Sequence, residues 1–181
     1  MKTPCPYCEK PLEIELKRLE DKAPAYKPEW HLREAKDWSN RSGVAVDMIV
    51  LHHTSTDQMN TRADSIIRYW DRKEIEASAH FIIEGDGTVT RAVDVTRKAW
   101  HAMWVNSRSV GIELCGDMGD KLTDAQSNSL KWVIETWILP KFPIKQITGH
   151  RFLGMATDCP GSLFPTQESI NDWCKLNGIN L

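Results

Sequence analysis

Four side chains carry metal-binding chemistry at suggestive spacing. "GHRFLGMATDCPG" (residues 149–161) sets His150 and Cys159 around one loop, and "IVLHHT" sets His52 and His53 at the end of an apolar run. Two imidazoles and one thiolate form a donor set that zinc accepts. Three protein ligands with a fourth position left to water is the catalytic pattern rather than the closed structural one. Such a metal would hold the Cys159 sulfur as a thiolate and draw the pKa of bound water towards neutrality. Spacing alone leaves the matter open, because histidines and cysteines far apart in sequence also occur as ordinary core residues.

The elements that must position these groups are legible as patterns. "AVDMIVLHHTST" is an apolar run bounded by turn formers and predicts a buried strand. "TRADSIIRYWDRKE" has helical spacing, with Thr61 and Asp64 as its expected N-terminal cap. "AHFIIEGDGTVTRAV" predicts a β-hairpin around Gly85-Asp86-Gly87. "SVGIELCG" predicts another buried strand. "LTDAQSNSLKWVIETWILP" predicts a long amphipathic helix, with Thr123 and Gln126 as a capping box and Pro140 as its stop. "IKQITGH" predicts a short strand ending at His150, and "PTQESINDWCKL" a last helix capped near Thr166. Strands and helices alternate around one hairpin, which predicts a single α/β domain: a mixed central sheet flanked by helices. Residues 1–43, rich in proline and charge, are expected to form an N-terminal extension or cap that packs through Trp30 and Trp38 onto a domain spanning 44–181.

Composition narrows the partners. The 181 residues are 41% hydrophobic and 27% charged with a formal net charge of -2, which gives no electrostatic reason to expect nucleic acid or an anionic membrane. The eight tryptophans are expected mostly to pack, although an aromatic-lined groove for a sugar or peptide is the sharper alternative. No stretch approaches the ~18 apolar residues of a bilayer span, and no apolar h-region follows Lys2. The chain is therefore expected to be made in the cytoplasm, as a monomer. Its five cysteines (Cys5, Cys8, Cys115, Cys159 and Cys174) are an odd number, which favours thiols or metal ligands over disulfides.

"IVLHHTST", "SAHFIIEGDGTV", "AWHAM", "SVGIELCGD", "LTDAQ" and "GHRFLGMATDCPG" occur in the order and spacing of the zinc-dependent N-acetylmuramoyl-L-alanine amidases. That family also takes in the phage T7 lysozyme type and the peptidoglycan recognition proteins. The resemblance covers roughly residues 44 to 176. It implies the fold of that family and cleavage of the amide between N-acetylmuramic acid and the L-alanine of the peptidoglycan stem peptide. It also implies zinc held by His52, His150 and Cys159. His53 then points to the other face of its strand, because adjacent strand residues alternate.

Glu113 matches the carboxylate that serves as general base in members of the cytosolic recycling type. The tyrosine used by T7-like members is replaced here by Ala79, which shifts weight to Glu113. A glutamate inside an apolar strand is costly without a task or a partner. Thr157 stands where relatives place Lys or Thr against the oxyanion. His101, beside Trp100, matches a position lining the substrate cleft. Met103 stands where relatives commonly carry glycine, so a different local turn is expected.

Two roles fit the resemblance, a phage-type endolysin or a cytosolic amidase that recycles muropeptides, and the N-terminal extension favours the endolysin. A non-catalytic peptidoglycan-binding module is the alternative of another class. Such members typically lose the cysteine ligand, which this chain keeps. "CPYC" at Cys5–Cys8 echoes redox and zinc-ribbon motifs, but lacks the preceding strand of the first and the second cysteine pair of the other.

Overall fold

In the computed structural model, residues 26–41 and 43–181 are described, and Cys5 and Cys8 lie outside them. The elements in chain order are β1 (Trp30–Leu32), β2 (Trp38–Asn40), β3 (Met48–His53), α1 (Ala63–Trp70), β4 (Phe81–Ile83) and β5 (Val89–Arg91). They continue with β6 (Arg97–Ala99), β7 (Ser109–Leu114), α2 (Asp124–Val133), β8 (Gln146–Gly149) and α3 (Gln167–Leu176). The main sheet has the order β1-β5-β4-β7-β3-β8, and β2 pairs with β6 in a separate ribbon. Among the described residues, only the β4–β5 hairpin is antiparallel within the main sheet; its other pairs run parallel. This is the mixed α/β sheet that the patterning predicts.

All six residues of β3 are buried, as expected of a parallel strand covered on both sides. Alternation sends Ile49 and Leu51 to one face. There they join Ile112, Leu114, Phe81 and Ile83 beneath Leu130 and Val133 of α2 and Ile170 of α3. On the other face, Met48 and Val50 meet Ala102 and Val105, while Ile82 packs on Ile66, Ile67 and Trp70 of α1. His52 follows the second set by the same period of two. The site thus grows from the strand that anchors the core.

The helix ends differ in origin. Thr123 and Gln126 form the expected capping box of α2, and Thr166 with Ser169 does the same for α3. The cap expected for α1 is not formed. Its N-cap residue is Arg62, with no side-chain cap of its own. Instead the buried carboxylate of Glu84, on the hairpin, accepts from the Ala63 N–H at 2.8 Å and from Arg62 at 3.0 Å. A carboxylate there also complements the positive end of the helix dipole. Beyond Val133, the long helix widens into one π turn over Ile134–Ile138.

Residues 26–41 are woven into this scaffold. β1 extends the sheet edge, and Trp30 stacks on Trp137 at 4.8 Å and meets Trp132 edge-on at 5.7 Å. These three are partly buried, Trp70 and Trp173 are buried, and Trp38, Trp100 and Trp104 stay exposed. Arg41 sends its guanidinium inward, where it donates to the carbonyls of Val95, Asn106, Ser107 and Ser109.

Candidate metal centre

Three neighbouring parallel strands, β8, β3 and β7, finish on the same side of the sheet, which is where α/β folds collect reactive groups. His52, next to last in β3, is in register with Glu113 of β7, and His150 follows directly on Gly149 of β8. A Cβ at Gly149 would come within 2.6 Å of the Pro160 ring, so glycine there lets the following loop fold back against the strand. That return is held by the Arg151 N–H on the Cys159 carbonyl at 2.7 Å.

The loop delivers Cys159 to the two histidines. Its Sγ lies 3.6 Å from His52 Nδ1, and the His52 and His150 rings are 4.6 Å apart. One donor atom from each of His52, His150 and Cys159 falls within 4.8 Å of the others. Zinc bonds of ~2.0 Å to nitrogen and ~2.3 Å to sulfur put neighbouring tetrahedral donors roughly 3.5 Å apart. The three side chains fit such an ion. Burial also holds both imidazoles below the usual range, most strongly His52, which leaves them neutral with a lone pair to give. Burial pushes the Cys159 thiol well up, so a thiolate there needs a cation beside it.

His53 contributes by its backbone. Its N–H donates to Cys159 Sγ at 3.2 Å, while its ring accepts at Nδ1 from the Ser55 N–H at 3.0 Å. Glu113 has one carboxyl oxygen, Oε2, buried without a partner, and burial raises its pKa to about 8. Thr157 Oγ1 accepts from the Cys159 N–H at 3.2 Å, which leaves its hydroxyl hydrogen free for another acceptor.

Trp100, His101, Met103, His150, Met155 and Thr157 line a cleft of about 500 Å³. Glu113, His53, Tyr69 and Trp70 line a second hollow of about 310 Å³. Of the residues singled out from the sequence, His52, His150 and Cys159 form the cluster, Trp100, His101, Met103 and Thr157 line the first cleft with His150, and Glu113 lines the second hollow with His53. Met103 has φ 49°, a left-handed conformation that glycine takes without cost, so the backbone keeps a glycine-type turn with methionine in it. Sequence patterning singled out His101 for the cleft but passed over two further neighbours of the cluster, Ser109 and Met155. His101 Nδ1 is 3.0 Å from His52 Nε2, Ser109 Oγ is 3.2 Å from His101 Nε2, and Met155 Sδ is 2.9 Å from His150 Nε2. A serine opening an apolar strand and a loop methionine carry no pattern that marks them.

The family model for N-acetylmuramoyl-L-alanine amidase matches residues 42–162. The chain belongs to that family. Among relatives of the amidase, the endolysin of Escherichia phage T7 is 30% identical over 114 residues, covering 59% of this chain and 75% of that one. Peptidoglycan-recognition protein 1 of Holotrichia diomphalia is 27% identical over 162 residues, covering 76% and 78%. In fold, the amidase is similar to the endolysin N-acetylmuramoyl-L-alanine amidase LysCS from Clostridium intestinale. That structure has a TM-score of 0.68 and 24% identity, and the match covers 87% of this chain and 100% of the other. The family match starts at residue 42, so β1, β2 and Arg41 precede the part of the amidase that it describes.

Proposed function

We propose that this amidase is zinc-dependent, with His52, His150 and Cys159 as the ligands, and that it acts on bacterial peptidoglycan as a phage-type endolysin. The reading is carried by one observation: three donor atoms, two beside strand ends and one on the loop that folds back to them, lie within 4.8 Å of one another in an amidase-family domain. Zinc bound there would supply Lewis-acid chemistry, polarising the scissile carbonyl and acidifying water. The endolysin role is supported by likeness to the endolysins of phages T7 and T3. Among the described residues, no helix is long and apolar enough to cross a membrane.

The remaining steps belong to side chains. Glu113 takes a proton from the attacking water at its unpartnered Oε2, and a C–O bond forms at the carbonyl carbon. A pKa near neutrality suits a group that must accept a proton and return it, and a nearby cation favours its carboxylate form. Glu113 then passes the proton to the departing L-alanine nitrogen as the C–N bond breaks. The free hydroxyl hydrogen of Thr157 donates to the oxyanion. Trp100 and His101 form the wall against which the muramyl-peptide lies.

The test is release of new L-alanine amino termini from purified peptidoglycan. Release that chelation abolishes and zinc restores, and that Cys159→Ala lacks, is the expected result. Binding without release by fully zinc-loaded protein would replace the enzyme with a recognition module. Faster cleavage of soluble muropeptides than of intact sacculi would replace the endolysin with a recycling enzyme.

A further inference from the structure

His52 has two ring nitrogens, and only one can face a metal. Nδ1 lies 3.6 Å from Cys159 Sγ, and Nε2 points away from the cluster to His101 Nδ1, 3.0 Å distant. Which of the two carries the proton follows from the far end of a chain of hydrogen bonds. Ser109 has a single hydroxyl hydrogen, and its shortest acceptor is the Val105 carbonyl at 2.7 Å. Its oxygen therefore faces His101 Nε2, at 3.2 Å, as an acceptor. A neutral His101 protonated at Nε2 has its lone pair on Nδ1. That lone pair accepts from His52 Nε2–H and leaves the Nδ1 lone pair of His52 aimed at the cluster.

We infer that Ser109 and His101 are positioning residues whose hydrogen-bond relay fixes the Nε2–H tautomer of His52 and so presents its Nδ1 to the metal. The inference rests on the metal-site reading above, but not on peptidoglycan as substrate. Histidine ligands in general need a partner on the second nitrogen to fix tautomer and ring orientation.

The frame around the relay is rigid. Gly111 of β7 lies directly under the imidazole of His101, where a Cβ would come within 2.5 Å of His101 Cγ. The Asn106 side chain accepts from the backbone N–H groups of His101 and Ala102 at 3.1 and 2.6 Å. Arg41 donates to the carbonyls of Ser107 and Ser109 at 2.8 and 2.9 Å, which anchors the relay's last member. The residue that ties down the far end thus lies just outside the family match.

Two measurements test this, neither of which needs substrate. In metal-free, nitrogen-15-labelled protein, a long-range proton–nitrogen correlation spectrum should show His52 and His101 both protonated at Nε2. Competition with a chromophoric chelator should show zinc affinity weakened ~10–100-fold in Ser109→Ala and in His101→Leu. His101→Asn should recover part of the loss, because its amide oxygen can stand near the place of Nδ1. Protonation of His52 at Nδ1 in the wild-type protein overturns the relay, and so do variants that bind zinc as tightly as wild type. The wild-type spectrum decides even where a variant fails to fold. Intact tautomers and tight zinc binding in a protein that cuts no peptidoglycan would sink the proposed function and leave the relay standing.

Discussion

The central sheet has two faces that share every strand and differ in what they can lose. Beneath α2 and α3, Ile49, Leu51, Ile112 and Leu114 belong to one apolar cluster with Leu130, Val133 and Ile170. On the opposite face of the same strands stand His52, Gly111 and Glu113, with His101 lying across Gly111. One face is stability without chemistry. The other holds imidazoles and a carboxylate that burial penalises, tolerated because the covered face supplies the folding energy. Substitutions on the two faces should therefore separate activity from stability.

The largest separation is expected at Cys159. Cys159→Ala should lower release of L-alanine termini by at least roughly a thousandfold, since the polarising ion loses a ligand. Melting of the metal-free protein should move by no more than a few degrees. A variant retaining a tenth of the wild-type rate would remove Cys159 from the ligand set. Leu130→Ala, on the covered face, should do the reverse. Leu130 is fully buried, and its truncation should cost about 2–5 kcal/mol in urea unfolding, with the rate per folded molecule unchanged. If activity fell before stability did, the two faces would not be independent.

Glu113→Gln sharpens the comparison through pH. With its pKa raised from 4.5 to about 8, the folded carboxyl keeps a proton that the unfolded chain has released. Its contribution is therefore constant below pH 4.5, falls by up to about 1.4 kcal/mol per pH unit between the two values, and is flat above. His52, His80 and His101 are all lowered from 6.5 by burial and tilt the other way in the acid part of that window. The difference between wild type and Glu113→Gln isolates the carboxyl. In metal-free protein the variant should gain on the wild type as pH rises towards 8, while cleavage falls roughly a hundredfold or more. A pH-independent difference in urea midpoint would mean that the carboxyl is solvated.

Much of this arrangement was legible in the sequence, because the covered face writes itself as periodicity. β3, the β4–β5 hairpin and α2 appear where the bounded apolar run, Gly-Asp-Gly and period 3.6 place them. The resemblance named His52, His150, Cys159 and Glu113, and the strand ends bring them together. Long-range polar pairing was not legible. Ser109 reads as the first residue of an apolar strand, yet its hydroxyl faces His101, eight residues back. Arg41 reads as one of many charges before the domain, yet its guanidinium is surrounded by carbonyls. Such contacts depend on which loop lies over which strand, and local pattern carries no information about that.

The smallest expected effects lie at the two helix starts, where the same contrast repeats. On the covered face, α2 is capped by its own chain: Thr123 Oγ1 accepts from the Gln126 N–H at 3.0 Å. Thr123→Ala should cost about 1 kcal/mol in urea unfolding. On the cleft face, α1 borrows Glu84 from the hairpin, and the threonine that its sequence offers, Thr61, makes no cap. Thr61→Ala should therefore change stability by less than about 0.5 kcal/mol. Glu84→Ala should cost more than either, because it strips the buried Ala63 N–H of its acceptor and Arg62 of a charged partner. Equal losses at Thr61 and Thr123 would mean that α1 starts on its own local signal after all. The order Glu84, Thr123, Thr61 instead makes the cleft-side helix dependent on the hairpin. Loosening that hairpin would then also loosen Ile66 and Trp70, which wall the hollow beside Glu113.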